Sequence, residues 1–451
     1  MPITEPSALA PVVTAGDPGW DEARRAWDLA TDQRPAAVAV PATAQDVVAA
    51  VGVARARGLR IAAQGTGHGA AALGGLDQTL LVRTSGMRKI RIDPVAMTAQ
   101  VQAGATWQEV VEAAAAQGLA ALAACSPDVG VVGYTLGGGI GWLGRSYGLS
   151  ANNAEAFEVV TADGRLVRAD VASEPDLYWA LRGGGGSFGV VTAAELRLYR
   201  MTEVYAGLML WPADAAAEVL PAWQELTSGD LPDEFATAVR LMTFPVMPGI
   251  PTVLHGQSAV IVYVVHLGLP GEADALLAPL RALRPDKDTV RTIPVTALGR
   301  MHLDPEGPAP YRVEGLLLDS LTGPAVDQIL AAAQPGPGGP LVMVEVLHLG
   351  GELGRVRPHS GALAAVEAPF LLVAGGLTAT PEQAAAVAAG IRDVQAAVSG
   401  WVAPRQYLNL ARTAGDPARF WHPDAYRRLR RIKAAVDPAD LIRGNHPVPP
   451  A

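Results

Sequence analysis

Between Ala36 and Gln64 the chain changes rhythm twice. AAVAV, residues 36–40, is a short apolar run compatible with a strand. Thr43, with Asp46 three residues on, can cap a helix carrying VVAAVGVARAR, and Gly58 ends it. RIAAQ is a second short strand that runs into Gly65-Thr66-Gly67-His68-Gly69, so a β-α-β unit is predicted. TLLVR, KIRI and TAQVQAG predict a strand-rich block, with KIRI alternating as a half-buried strand does. Thr106-Trp107-Gln108-Glu109 reads as a capping box before an Ala-rich helix that Gly118 closes. AFEVV and RLVRA, joined through Asp163-Gly164, predict a hairpin. Ser173 is expected to cap a short helix, with Glu174, Pro175 and Asp176 in its first turn. Residues 1–34 read as an irregular lead-in.

From residue 201 to 404 the pattern changes. YAGLMLW, AVIVYVV, LVMVEVLHL and FLLVAGG alternate with helical stretches such as ADAAAEVL and PEQAAAVAAGIRDV, which predicts a sheet covered by helices. The last 45 residues or so return to a polar, Arg-rich helix, AYRRLRRIKAAV, followed by Asp437-Pro438 and Gly444-Asn445-His446-Pro447.

Composition narrows the classes. Of 451 residues half are apolar and 18% charged, which excludes bulk disorder. The net charge of −9 supplies no basic surface, so no nucleic-acid partner is expected. No segment reaches the roughly 18 apolar residues of a membrane helix, and no membrane partner is expected. MPITEPSALAPVV lacks a positive n-region and a proper h-region, so no secretory signal and a cytoplasmic location are expected. Cys125 is the only cysteine, which excludes an internal disulfide and a multi-thiolate metal site; no metal is expected.

Glycine concentrates in three strand-adjacent segments. GTGHG can bunch backbone N–H groups into a phosphate nest with His68 in its middle, or it can be a tight turn with an incidental His. GVVGYTLGGGIG, residues 130–141, permits close backbone approach to a flat or anionic ligand, or serves as a linker. Its spacing is neither the dinucleotide fingerprint nor a Walker loop. ALRGGGGSFGVV, residues 180–191, is either a third such loop or a helix end with a turn. Together they favour one large shared ligand.

In order, GTGHG, SPDVGVVGYTLGGGIGWLGRSYGLSANN, VVTADG, LYWALRGGGGSFGVVT, RQYLNL and RRLRRIKAAVDPADLIRGNHPV resemble the berberine bridge enzyme-like FAD-linked oxidases of the vanillyl-alcohol oxidase / p-cresol methylhydroxylase superfamily. The resemblance is strong over residues 35–200, clear over 405–450 and weak between. It implies an α+β protein. A PCMH-type FAD-binding domain of two α/β subdomains (residues 1–200, completed by 405–451) would be roofed by an antiparallel-sheet substrate domain (201–404). It also implies that His68 is joined covalently to the flavin 8-methyl group, which raises the flavin potential. Relatives with a second link have Cys where this chain has Ser126. Cys125 comes one residue early, and one residue reverses side-chain direction in an extended chain, so a single bond is expected. Otherwise Cys125 reads as a small buried apolar residue.

The resemblance further places Gln64, Gly65, Thr66, Gly67 and Gly69 on the pyrophosphate, with Gln64 standing where Arg is usual. Val129, Gly133, Tyr134, Gly138 and Gly141 would line the ribityl chain and ring, Val190 the adenine, and Asn445 the ring from the C-terminal side. Asn152-Asn153 stands where Asp-Asn is common. Tyr407 and Asn409 form the family's Tyr-x-Asn element, in which a Tyr takes the substrate hydroxyl proton as hydride leaves to flavin N5. A free phenol is a poor base at neutral pH, so Tyr407 either has help or only packs against the ring. Glu345 and His348 are candidate helpers, and His302 reads as a structural loop histidine. The implied reaction is oxidation of a small hydroxyl-bearing molecule, with O2 as acceptor and H2O2 as product. Oxidative cyclisation, amine oxidation and a flavin carrier without turnover remain alternatives. The oligomeric state is not legible.

Overall fold

The computed structural model describes residues 12–246, 250, 252–304, 306–333, 339–412 and 415–451. The first eleven residues, part of the lead-in and of the segment without a secretory signature, lie outside them. The fold is α+β, as expected. A four-stranded sheet of Val12–Val13, Ala37–Ala39, Thr79–Arg83 and Arg60–Gln64 comes first, with its last three strands parallel and the first antiparallel to them. The helix Ala44–Arg57 crosses between them, starts on the Thr43/Asp46 capping box, and stops at Gly58, whose φ of 65° needs a glycine.

A five-stranded antiparallel sheet follows, in the order Ile90–Asp93, Thr98–Gln102, Val190–Arg197, Ala154–Val160 and Leu166–Ala169. The helix Trp107–Ala115 packs beside it on the predicted Thr106/Glu109 box. The next cap differs from expectation by one residue: the helix is Pro175–Leu181, and Glu174, not Ser173, precedes it with a φ of 51° and no side-chain cap.

The third sheet dominates the rest. Its long strands run Glu203–Pro212, Ser258–His266, Phe235–Thr243, Met343–His348, Phe370–Leu377 and Tyr311–Leu318, all antiparallel neighbours. Alternation divides it into two faces. Val239, Val262, Val264, Val344, Val346 and Leu372 point into a core under the helices Ala216–Ser228, Pro270–Ala282, Gly323–Ala333 and Pro381–Ala397. Each such buried side chain contributes about 1.5–3 kcal/mol. Arg240, Met242, Met343, Glu345, Leu371 and Val373 point the other way and roof a cavity.

The C-terminal segment returns to the first sheet. The helix Pro423–Val436 buries Lys433, whose Nζ donates to Ser187 O (2.8 Å), Ile442 O (2.7 Å) and Asp437 Oδ2 (2.5 Å). Ile442 then bridges Ile61 in parallel, which carries Asn445 to the end of the strand Arg60–Gln64. Among the described residues no helix is long and apolar enough to cross a membrane.

Candidate active site

A cavity of about 430 Å³ lies between the glycine-rich segments and the long sheet. An adjoining one of about 120 Å³ shares Gln64, Gly65, Gly133, Asn409 and Asn445 with it and reaches Gly185, Gly186 and Gly189. All three glycine segments thus border one continuous space. Among the described residues, the N–H groups of Thr66, Gly67, His68 and Gly69 donate to no acceptor in the chain. Gln64 Nε2 and His68 Nε2 are buried without partners. A Cβ added at Gly133 would meet nothing within 4 Å, so open room lies beside that backbone. At Gly69 a Cβ would come within 2.5 Å of Asn445 Nδ2, a side chain already donating to Gly69 O at 2.8 Å. Room walled by side-chain-poor backbone with free donors fits a dinucleotide whose phosphates are anionic.

His68 is tightly framed. Thr66 Oγ1 is 2.8 Å from its Nδ1, and Trp27 stacks on the ring with centroids 4.0 Å apart. Nε2 lies 3.4 Å from Asp128 Oδ1, off the line of a hydrogen bond. Burial raises the Asp128 carboxyl, but His68 and donation from Gly307 N–H and Trp27 Nε1 outweigh it, leaving the pKa at about 2. The lead-in, expected to be irregular, therefore contributes a wall residue, on a segment whose bridge to Ala309 ties it to the far side of the cavity.

Tyr407 borders the cavity from the other end. Its hydroxyl oxygen accepts from Ile140 N–H (3.0 Å), Gly139 N–H (3.1 Å) and Asn409 Nδ2 (3.1 Å), while Asn409 Nδ2 also donates to Tyr134 O at 2.9 Å. A phenol oxygen has two lone pairs, whereas a phenolate has three, so three converging donors match the ionised form. Burial works the other way and dominates, holding the phenol at about 12 despite those donors.

The roof carries a buried charge cluster. Arg240 Nη2 is 2.8 Å from Glu345 Oε2, and its Nη1 donates to His302 O (3.1 Å) and Asp304 Oδ1 (3.0 Å). His302 Nε2 stands 3.1 Å from Glu345 Oε1, yet the angle leaves both atoms without a hydrogen bond. The Arg240 and Glu345 side chains are 2% and 3% exposed. Burial raises the Glu345 carboxyl, but Arg240 and then His302 bring it down to about 2.

Of the residues expected at the site, Gln64 to Gly69, Val129, Gly133, Tyr134, Tyr407 and Asn445 border the main cavity. Gly138 and Gly141 do not. A Cβ on Gly138 would meet Leu363 Cδ2 at 2.8 Å and Tyr407 Cε2 at 3.2 Å, so it packs behind Tyr407, and Gly141 packs against the Ala123 backbone. Val190 is buried in its strand, while its neighbours Gly189 and Val191 border the smaller space. Half of the segment 130–141 is a helix, Val131–Leu136, rather than a loop. His348 is on the wrong face: it alternates away from Glu345, and burial followed by the Arg145 charge lowers it to about 3. His302, read as structural, borders the cavity. Cys125 and Ser126 both border it, so the alternation argument does not separate them; burial, then the Glu345 and Asp304 charges, push the thiol up, away from the reactive thiolate. Trp27, Asp128, Arg240 and Asp304 had no signal beyond their neighbourhood in sequence.

A family described as "FAD binding domain" matches residues 35–170. The chain is 28% identical over 463 residues to (R)-6-hydroxynicotine oxidase of Paenarthrobacter nicotinovorans, covering 97% of this chain and 96% of that protein. It is 32% identical over 229 residues to glucooligosaccharide oxidase of Sarocladium strictum, covering 49% of this chain and 46% of that one. The crystal structure of 6-hydroxy-D-nicotine oxidase from Arthrobacter nicotinovorans superposes with a TM-score of 0.84 at 25% identity, each chain covered in full (100%).

Proposed function

We propose that this chain, an FAD-linked oxidoreductase of the vanillyl-alcohol oxidase / p-cresol methylhydroxylase superfamily, oxidises a small molecule at a hydroxyl-bearing carbon and returns the electrons to O2 as H2O2. The observation that carries this reading is the Tyr407 hydroxyl, held by three N–H donors on the wall of the cavity that the glycine segments border. Bound FAD supplies the two-electron acceptor. Residues 64–69 hold its phosphates through free backbone N–H groups, the Gly185–Gly189 turn takes the adenine end, and Tyr134 and Asn445 border the ring. His68 is the point of covalent attachment, and Cys125 adds no second bond. Residues 1–200 with 405–451 serve as the flavin-holding part and 201–404 as the roof.

Tyr407 takes the proton of the substrate hydroxyl as hydride departs. Glu345 and His302 present one open carboxylate oxygen and one open ring nitrogen, a donor-and-acceptor pair that suits a second hydroxyl of the substrate. A second reading, amine oxidation, is favoured by one feature: two carboxylates, Glu345 and Asp304, share a single guanidinium. The test starts with an absorbance spectrum and intact mass of the purified chain, which should be yellow and heavier by one FAD. A peroxide assay over sugars, secondary alcohols and cyclic amines follows. A colourless chain that takes up no FAD ends the reading. Turnover of amines alone replaces it with the second, and flavin that no substrate bleaches without air leaves a carrier.

A further inference from the structure

The His68 imidazole is framed by side chains that a phosphate-binding loop does not require. Trp27 lies nearly flat on one face, with planes 18° apart. The same indole donates through Nε1 to Asp128 Oδ2 at 2.6 Å, and Gly307 N–H donates to that oxygen at 2.9 Å. The carboxylate is thereby fixed with its other oxygen toward His68 Nε2, 3.4 Å away. Nε2 is buried and hydrogen-bonded to nothing, with the Asp128 carboxylate the charged group beside it, while Nδ1 faces the Thr66 hydroxyl at 2.8 Å, a group able to donate. A carboxylate beside one ring nitrogen favours the tautomer with the proton there and leaves the lone pair on the other nitrogen, where the Thr66 hydroxyl donates to it until a bond forms.

We propose that Asp128 is a positioning residue for flavin attachment: it holds the proton of His68 on Nε2, directs Nδ1 to form the bond, and receives the Nε2 proton as the bond is made. The inference rests on the reading that His68 is the attachment point. Attachment forms one bond between Nδ1 and the flavin 8-methyl carbon and breaks one methyl C–H bond and the Nε2–H bond. Two electrons pass to the flavin with two protons, one from the methyl group and one from Nε2 by way of Asp128, which returns to its carboxylate, and O2 removes them as H2O2. Bond formation at Nδ1 while Nε2 still carries its proton gives the ring a positive charge in a buried place. A fixed carboxylate 3.4 Å away offsets that charge, and a neutral amide there would not.

The test follows adduct formation, not turnover. Wild type, D128N, D128E and W27F are produced as full chains under riboflavin limitation, then incubated aerobically with FAD and sampled for intact mass and a peptide map. Wild type should gain one FAD on His68; if it gains none, the attachment reading fails on its own. D128N should form the adduct at least about tenfold more slowly than wild type. D128E should recover part of the rate, and W27F, which keeps the stacking but loses the donor to Asp128, should fall between. Non-covalent FAD affinity, read in the H68A background with and without D128N, should agree within about threefold. Wild-type rates in D128N overturn the inference while the reading stands. Equal losses of affinity and rate in D128N, unrestored in D128E, also overturn it, because Asp128 would then only brace the loop. If D128N does not fold, unchanged kinetics in W27F and D128E overturn it instead.

Discussion

Replacing Tyr407 by Phe removes one oxygen and leaves the ring. Three donors lose their acceptor: the N–H groups of Gly139 and Ile140, and one bond of Asn409 Nδ2, which keeps Tyr134 O. A buried donor without a partner costs about 1–3 kcal/mol, so the two backbone groups alone predict about 2–6 kcal/mol of destabilisation, at the low end where a water takes the vacated place. The catalytic loss is separate. A positioned base contributes about 10²–10⁴-fold, and Phe supplies none. The assay is stopped-flow reduction of the flavin without air, with the substrate found in the peroxide panel, alongside thermal melts of both proteins. If Tyr407 accepts the proton, the reduction rate falls by about 10²–10⁴-fold with little change in substrate affinity, because the interaction lost is made mainly in the transition state. If the wild-type rate follows ionisation of a phenol near 12, it climbs with pH through the alkaline range, and Y407F flattens that rise. A Y407F enzyme reduced within about threefold of the wild-type rate refutes the assignment and moves the base to the roof, where Glu345 and His302 hold the open oxygen and nitrogen.

The remaining expectations concern the groups that hold the site. Glu345 has a folded-state pKa of about 2 against an ordinary 4.5, so its stabilisation is present above about 4.5 and is lost as pH falls toward 2. E345Q should therefore melt less steeply with acid over that window, and at pH 7 should be about 1–3 kcal/mol less stable, because Arg240 keeps Asp304 but loses its buried counter-charge; an unchanged acid limb counts against the pair. K433M strips Asp437 of its buried cation and should cost about 3–5 kcal/mol, with faster release of FAD in the H68A background, measured by fluorescence of the freed flavin. G69A pushes a Cβ to 2.5 Å from Asn445 Nδ2 and should weaken FAD binding by about tenfold, roughly 1.4 kcal/mol, in a titration of flavin into the H68A background.

What the sequence disclosed about this site depended on how each residue is constrained. The Thr43/Asp46 and Thr106/Glu109 boxes were legible because a cap is a local bargain between residues three apart, and the helices start where those boxes say. The glycine segments were legible because missing side chains leave a compositional trace, and Gly65, Gly133 and Gly185 do border one space. Gly138 and Gly141 show the limit of that trace: the same residue type serves close packing behind Tyr407 and against Ala123, and composition does not distinguish backbone that meets a ligand from backbone that meets protein. The roof was hidden for another reason. Arg240 interrupts FATAVRLMT, so the strand Phe235–Thr243 does not read as an apolar run, although its alternate positions serve the helix-covered core. Its partner Glu345 lies 105 residues further on, in strand register opposite it. Only strand pairing makes the two neighbours, whereas alternation along Met343–His348 turns His348 away and His302 enters from a loop. Asp128 lay in plain view in SPDVG, but its meaning rests on Trp27, 101 residues upstream. A buried polar group acquires a role from what it faces; where that partner is far along the chain, residue type and spacing carry no trace of it. The covalent chemistry proposed for His68 would therefore join a local glycine pattern that marks the loop to a long-range frame of Trp27, Asp128 and Gly307 that would decide which nitrogen reacts.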